Sequence, residues 1–243
     1  MKYLKMNELG LLTDIIKETH NQWRFIFESP LYDEIKYTPG QLITLTIREP
    51  GAMTQFTRSY SIASWPDGSN TFELIITNLE GGRMCDYLFN KAKIGDEVEY
   101  RGPMGVFTLP EKIDRDIYFV CTGSGISPFR SMINWITKNN IKTKKIKLIF
   151  GTRVKEDTLY YEELRQLEKD NANFEYLPVL SREEVDGYDH GYVHDVYLKL
   201  IEGREDKPLF YLCGWNIMIE EARYWLDTNG YKMKEDIRVE IFG

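Results

Sequence analysis

The sequence contains no apolar run approaching the roughly 18 residues that cross a bilayer as a helix. Its first ten residues set Lys2, Lys5 and Glu8 among the apolar ones, so no signal-peptide core is read there and the expected location is the cytoplasm. Cysteine is scarce: Cys85, Cys121 and Cys213 stand far apart, without Cys-x-x-Cys spacing. This excludes a disulfide framework and the four thiolates of a common iron–sulfur cluster. Histidine is equally scarce, and although His190 and His194 have the spacing of two metal ligands on a helix, no third ligand accompanies them. No metal is expected. An excess of basic charge is also missing, since the net charge is −7, which argues against binding to a phosphate backbone. The densest basic run, Lys142, Lys144, Lys145 and Lys147, reads as a solvated turn feeding a strand.

What is present is enough for folded cores. Hydrophobic residues make up 42% and aromatic residues 14% of 243 residues, a composition that buries itself and a length that suits two domains. The two halves differ in periodicity. Residues 11–19, 23–28, 42–48, 60–64, 72–78 and 97–101 alternate apolar with polar, with Pro39-Gly40, Asp67-Gly68 and Gly102-Pro103 as turns between them. Six antiparallel strands, interrupted by one helix at 82–92, predict a small Greek-key β-barrel. In the second half, apolar runs at 117–120, 146–150, 174–180, 209–212 and 239–242 alternate with helical stretches at 128–138, 159–169, 193–200 and 218–227. That order predicts an α/β doubly wound domain with a five-stranded parallel sheet. Pro110 and the aperiodic charged run from Glu111 to Asp116 mark the junction, giving domains 1–112 and 113–243.

Several segments carry chemistry. Arg58-Ser59-Tyr60-Ser61, at a strand end, offers a guanidinium for a phosphate, an aromatic ring for a flat ligand and a hydroxyl for a ring nitrogen, the requirements of a flavin. Gly82, Arg83, Met84 and Cys85 open a helix whose free N–H groups suit a pyrophosphate. After the first strand of the second half, Thr122, Gly123, Gly125 and Pro128 form a glycine-rich turn into a helix, where backbone can approach a dinucleotide. Arg153 and Ser181-Arg182 follow the next two strands, where the adenosine end of such a ligand would lie.

On these motifs, with Tyr37-Thr38-Pro39-Gly40-Gln41 and Gly102-Pro103-Met104-Gly105, the chain resembles the ferredoxin–NADP reductase family over nearly its whole length. The resemblance implies FAD in the barrel, held by Arg58, Tyr60, Ser61, Ile75, Thr77 and residues Gly82 to Cys85. It departs from the family at Cys85, where Ser or Thr is usual. The resemblance further implies that Cys213-Gly214 sits where the nicotinamide arrives, and that Phe242 covers the flavin. Ser61, Cys213 and Glu240 are then the candidate catalytic residues.

Ser181 and Arg182 resemble the pair that binds the 2′-phosphate of NADP, whereas Tyr192 occupies a position often basic in NADPH users. NADPH is favoured and NADH stays open. The function implied is hydride transfer from NAD(P)H to FAD and onward to a one-electron carrier such as ferredoxin or flavodoxin. A reductase component of an oxygenase system and a non-catalytic flavoprotein subunit are the alternatives. A monomer without nucleic-acid or membrane-spanning partners is expected.

Overall fold

The computed structural model describes residues 7–48 and 55–242. The reading made on residues 1–10 therefore rests mainly outside the described residues. Two compact units form: one from the described residues up to Thr108 with Arg130–Trp135, the other from Leu109–Phe129 and the described residues from Ile136 onward.

The first unit holds β1 (Glu8–Lys17), β2 (Gln22–Glu28), β3 (Leu42–Arg48), β4 (Gln55–Ser61), β5 (Thr71–Thr77), α1 (Arg83–Asn90) and β6 (Glu97–Met104). Their order across the antiparallel sheet is β4-β3-β6-β1-β2-β5. The sheet closes because the chain leaves β4 and immediately bridges to β5, pairing Ile62 with Leu74. The Ala63 N–H then donates to the Glu73 carbonyl at 2.8 Å. This explains why β4 begins upstream of the predicted 60–64. Gln55 to Ser59 carry a single apolar residue, Phe56, too few to show as an alternation, but pair with β3, while Ile62 to Ser64 cross to the other edge. Phe25, Phe27, Ile43, Leu45, Phe72 and Tyr100 fill the interior. Alternation delivers them there, since residues two apart on a strand share a face.

The second unit contains β7 (Ile117–Thr122), α2 (Ser127–Lys138), β8 (Ile146–Thr152), α3 (Tyr161–Asp170), β9 (Phe174–Leu180), β10 (Asp189–His190), α4 (Val193–Ile201), β11 (Leu209–Trp215), α5 (Asn216–Thr228) and β12 (Ile237–Phe242). The parallel sheet runs β10-β9-β8-β7-β11-β12. It has six strands, one more than the five expected. The addition, β10, is two exposed residues alongside Val179 and Leu180, too short and too polar to show in an apolar pattern. The central strands are buried on both faces, which is why they read as unbroken apolar runs. Strand order reverses between β7 and β11, and in a sheet of this kind the ligand crevice lies at the carboxyl ends of the strands on either side of such a reversal.

Candidate cofactor sites

In the first unit, β4 places Arg58 and Tyr60 on one face and Ser59 and Ser61 on the other. Arg58 is exposed, its Nη1 donating to the Thr57 carbonyl at 2.8 Å. Tyr60 lies half-buried against the barrel core, and burial holds its phenol well above the ordinary range, with Cys85 adding to the effect. Ser61 is buried at the last position of the strand.

Gly82 caps α1 without any side-chain hydrogen bond, so the N–H groups of the first turn have no capping side chain. A groove of about 560 Å³ lies against this turn, lined by Asn78, Leu79, Gly81, Gly82 and Arg83 among others. Arg83 stacks its guanidinium over Phe56 at 4.5 Å from the ring centroid. Met84 is buried in the barrel core, and Cys85 is buried with its thiol turned back into the loop. The Cys85 Sγ accepts the Leu79 N–H at 3.4 Å and donates to the Thr77 carbonyl at 3.5 Å. What Met84 and Cys85 offer a phosphate is their backbone. The Thr77 hydroxyl is occupied by Gln22 at 3.3 Å, and Ile75 is buried on the opposite face of β5 from Leu74 and Ile76.

The second unit brings its candidates together at the reversal. A tight 3-10 turn, Gly123–Ile126, follows β7 and leads into α2, where Ser127 Oγ donates to the Ser124 carbonyl at 2.8 Å. Pro128 sits in the first turn of α2, where a missing N–H costs nothing. A Cβ on Gly125 would stand 2.3 Å from the Cys213 carbonyl oxygen, so only glycine lets this turn lie against β11. Gly214, at φ +148°, would put a Cβ 2.6 Å from Thr122 Oγ1. That Thr122 hydroxyl is buried and has no hydrogen-bond partner among the described residues. Bare glycine backbone beside an unsatisfied buried hydroxyl is the chemistry of a cradle for a polar ligand.

Cys213 pairs in register with Cys121 on β7 and with Glu240 on β12. Burial pushes its thiol far above the usual range, and the Glu240 and Cys121 neighbours push it the same way. It is a neutral thiol and no nucleophile. Phe242 ends β12 opposite Trp215, which is 49% exposed.

At the other side of the sheet, the Arg182 N–H donates to the Arg153 carbonyl at 2.9 Å, and Ser181 Oγ donates to the Thr152 carbonyl at 3.4 Å. Both arginines are exposed, and among the described residues neither guanidinium has a charge or hydrogen-bond partner. Tyr192 is exposed at the N-cap of α4.

Sequence reasoning overlooked Gly151 and Arg165. A Cβ on Gly151 would meet Val193 at 2.7 Å and the Thr122 methyl at 3.2 Å, and its only signal was a glycine ending an apolar run. Arg165 reads as an ordinary helix-surface arginine, yet its Nη2 donates to the Gly187 carbonyl at 2.6 Å.

Comparison with known proteins yields two family matches: an oxidoreductase FAD-binding domain over residues 10–109 and an oxidoreductase NAD-binding domain over residues 119–224. The chain is 32% identical to ferredoxin–NADP reductase B of Sorangium cellulosum, over 77% of this chain and 78% of that protein. It is 31% identical to DmpP, the reductase component of phenol 2-monooxygenase of Pseudomonas sp., over 85% of this chain and 58% of that one. It therefore spans little more than half the length of this second relative. Among solved structures, a ferredoxin NADP+ reductase from Neisseria gonorrhoeae with bound FAD and NADP superposes with a TM-score of 0.82, covering 97% of this chain and 98% of that chain at 23% identity.

Proposed function

The chain belongs to the ferredoxin–NADP reductase family and is an NAD(P)H-dependent flavoprotein reductase with an FAD-binding and an NAD-binding domain, and we propose that it delivers its electrons to a separate one-electron carrier protein, a ferredoxin or flavodoxin. The observation that carries the dinucleotide half is the glycine approach of Gly125 and Gly214 around the unpartnered Thr122 hydroxyl. Bound FAD supplies acceptance of a hydride from reduced nicotinamide and release of electrons one at a time.

The protein's own contribution is placement and exclusion of water. Arg58, Tyr60, Ser61 and the first-turn backbone of α1 would hold FAD, with Thr77 and Ile75 supporting the wall behind it. Gly123, Gly125 and Thr122 would hold the dinucleotide backbone, and Arg153, Ser181 and Arg182 the adenosine end. The neutral Cys213 thiol, with Gly214, would bound the nicotinamide pocket without charging it, and burial, to which Glu240 and Cys121 add, keeps that thiol protonated. Phe242 is assigned to covering the flavin ring. The guanidinia of Arg153 and Arg182, without a partner among the described residues, favour NADPH over NADH.

The reading is tested on the purified chain by its visible spectrum and an anaerobic titration with NADPH and then NADH. Flavin absorbance that bleaches with NADPH at a lower concentration than with NADH is expected. Absence of flavin, or absence of bleaching by either nucleotide, overturns it. The match to DmpP favours a second destination for the electrons, an oxygenase system, reached through a separate carrier. Reduction of the purified carrier in each case separates the two.

A further inference from the structure

The two arginine-bearing loops of the second unit are tied together, and the tie is Glu183. Its Oε2 accepts the backbone N–H of Lys155 at 2.8 Å. Lys155 lies two residues after Arg153, and Glu183 lies one residue after Arg182. The link therefore joins the loop after β8 to the loop after β9 within two residues of both arginines, in addition to the backbone bond from Arg182 to Arg153. The far end of the second loop is held as well. Arg165, on α3, donates Nη2 to the Gly187 carbonyl and Nη1 to the Tyr176 carbonyl at 3.0 Å, while the rings of Tyr161 and Tyr188 stack at 5.2 Å and 11°. His190 Nδ1 lies 3.0 Å from the Glu183 carbonyl.

An acidic side chain near the adenosine end of a dinucleotide site has an alternative use, because Asp or Glu there accepts the ribose hydroxyls of NADH and repels the 2′-phosphate of NADPH. Here the carboxylate is committed to a main-chain donor, and the guanidinia of Arg153 and Arg182 are not committed to anything described. Two cations held at fixed separation bind a dianion better than two on independent loops, since ordering them on binding would cost conformational entropy.

We infer that Glu183 is a specificity-positioning residue: by capturing the Lys155 N–H it registers Arg153 and Arg182 as one anion site and withdraws its own charge from the ribose. This inference rests on the reading of Arg153 and Arg182 as a 2′-phosphate site.

The test uses the full-length FAD-loaded protein and two readouts: steady-state KM and kcat with NADPH and NADH, and calorimetric titration with adenosine 2′,5′-bisphosphate and with AMP. Glu183→Ala is expected to weaken adenosine 2′,5′-bisphosphate binding and raise KM for NADPH by on the order of fivefold, the worth of one ordinary hydrogen bond. AMP binding, KM for NADH and both kcat values should stay at wild-type levels. Glu183→Gln keeps an acceptor for the Lys155 N–H and should restore most of the bisphosphate affinity. A rise in KM for NADH in Glu183→Ala, tighter bisphosphate binding in that variant, or Gln behaving as Ala, overturns the inference. Arg182→Ala separates it from its premise. If that variant binds the bisphosphate like wild type, the phosphate site itself is misassigned. If Arg182→Ala loses affinity while Glu183→Ala does not, only the role of Glu183 falls.

Discussion

Gly125 and Gly214 approach so closely that a Cβ on Gly125 would lie 3.0 Å from the Gly214 Cα, as well as 2.3 Å from the carbonyl oxygen of Cys213. Both obstacles are backbone of a buried central strand, which no rotamer change can relieve. Gly125→Ala is therefore expected to displace the Gly123–Ile126 turn, cost at least ~2 kcal/mol by overpacking, and abolish flavin reduction by NADPH. Urea unfolding and stopped-flow absorbance check the two effects. A variant that folds with unchanged stability and is reduced at the wild-type rate would show that the turn has room the geometry denies it.

Cys121 and Cys213 are neighbours in register and both fully buried, and burial raises both thiols well above the normal range. Iodoacetamide at pH 8 should label them on the order of 100-fold more slowly in the native chain than in urea, because labelling must await opening of the core. Mass spectrometry of peptides from each condition measures the ratio. The rate of flavin reduction should show no ionisation attributable to a thiol below pH 9.

Cys85 makes two sulfur hydrogen bonds within its loop, to the Leu79 N–H and the Thr77 carbonyl. Serine offers the same donor and acceptor with a shorter reach. Cys85→Ser should leave FAD affinity unchanged and alter stability by no more than about 1 kcal/mol, whereas Cys85→Ala leaves the Leu79 N–H unsatisfied and should loosen the FAD-binding turn. Fluorescence titration of the apoprotein with FAD reports both.

His194 sets a pH limit on stability. Its ring is buried on α4, with Nδ1 2.9 Å from the Tyr197 hydroxyl and Nε2 3.1 Å from Glu221 on α5. Burial lowers its proton affinity, and the opposing attraction of Glu221 does not restore it. The unfolded chain thus binds a proton at a higher pH than the folded one. The associated stability is complete above the ordinary histidine value of about 6.5 and is lost as pH falls from there toward the folded value. Each tenfold difference in proton affinity between the two states is worth about 1.4 kcal/mol. Melting temperatures from pH 8 to pH 5 should fall for the wild type and fall less for His194→Gln. Parallel profiles would assign the acid sensitivity elsewhere.

Ser61, last in β4, is the residue assigned to the flavin ring rather than to its phosphates. Ser61→Ala should slow flavin reduction by NADPH about tenfold or more while FAD affinity changes far less, a split that stopped-flow and FAD titration measure separately. Reduction at the wild-type rate removes that role.

The sequence by itself determined the division into an antiparallel barrel and a parallel α/β unit, because alternation of period two and buried apolar runs are properties of local side-chain order. It also determined the motif positions, since turns that bring bare backbone to a ligand require glycine wherever they occur. What it did not carry was anything depending on which strands become neighbours. The start of β4 at Gln55 follows from its pairing with β3, and the two-residue β10 exists only because Leu180 lies beside it. The Cys85 thiol turns to Leu79 and Thr77 within its own loop, a local choice that the residue type alone does not show, while the isolation of the Thr122 hydroxyl and the commitment of Glu183 to Lys155 are set by packing between residues distant in sequence. Hydrogen-bond partners at such separations are chosen by the packed sheet, and tertiary structure alone decided them.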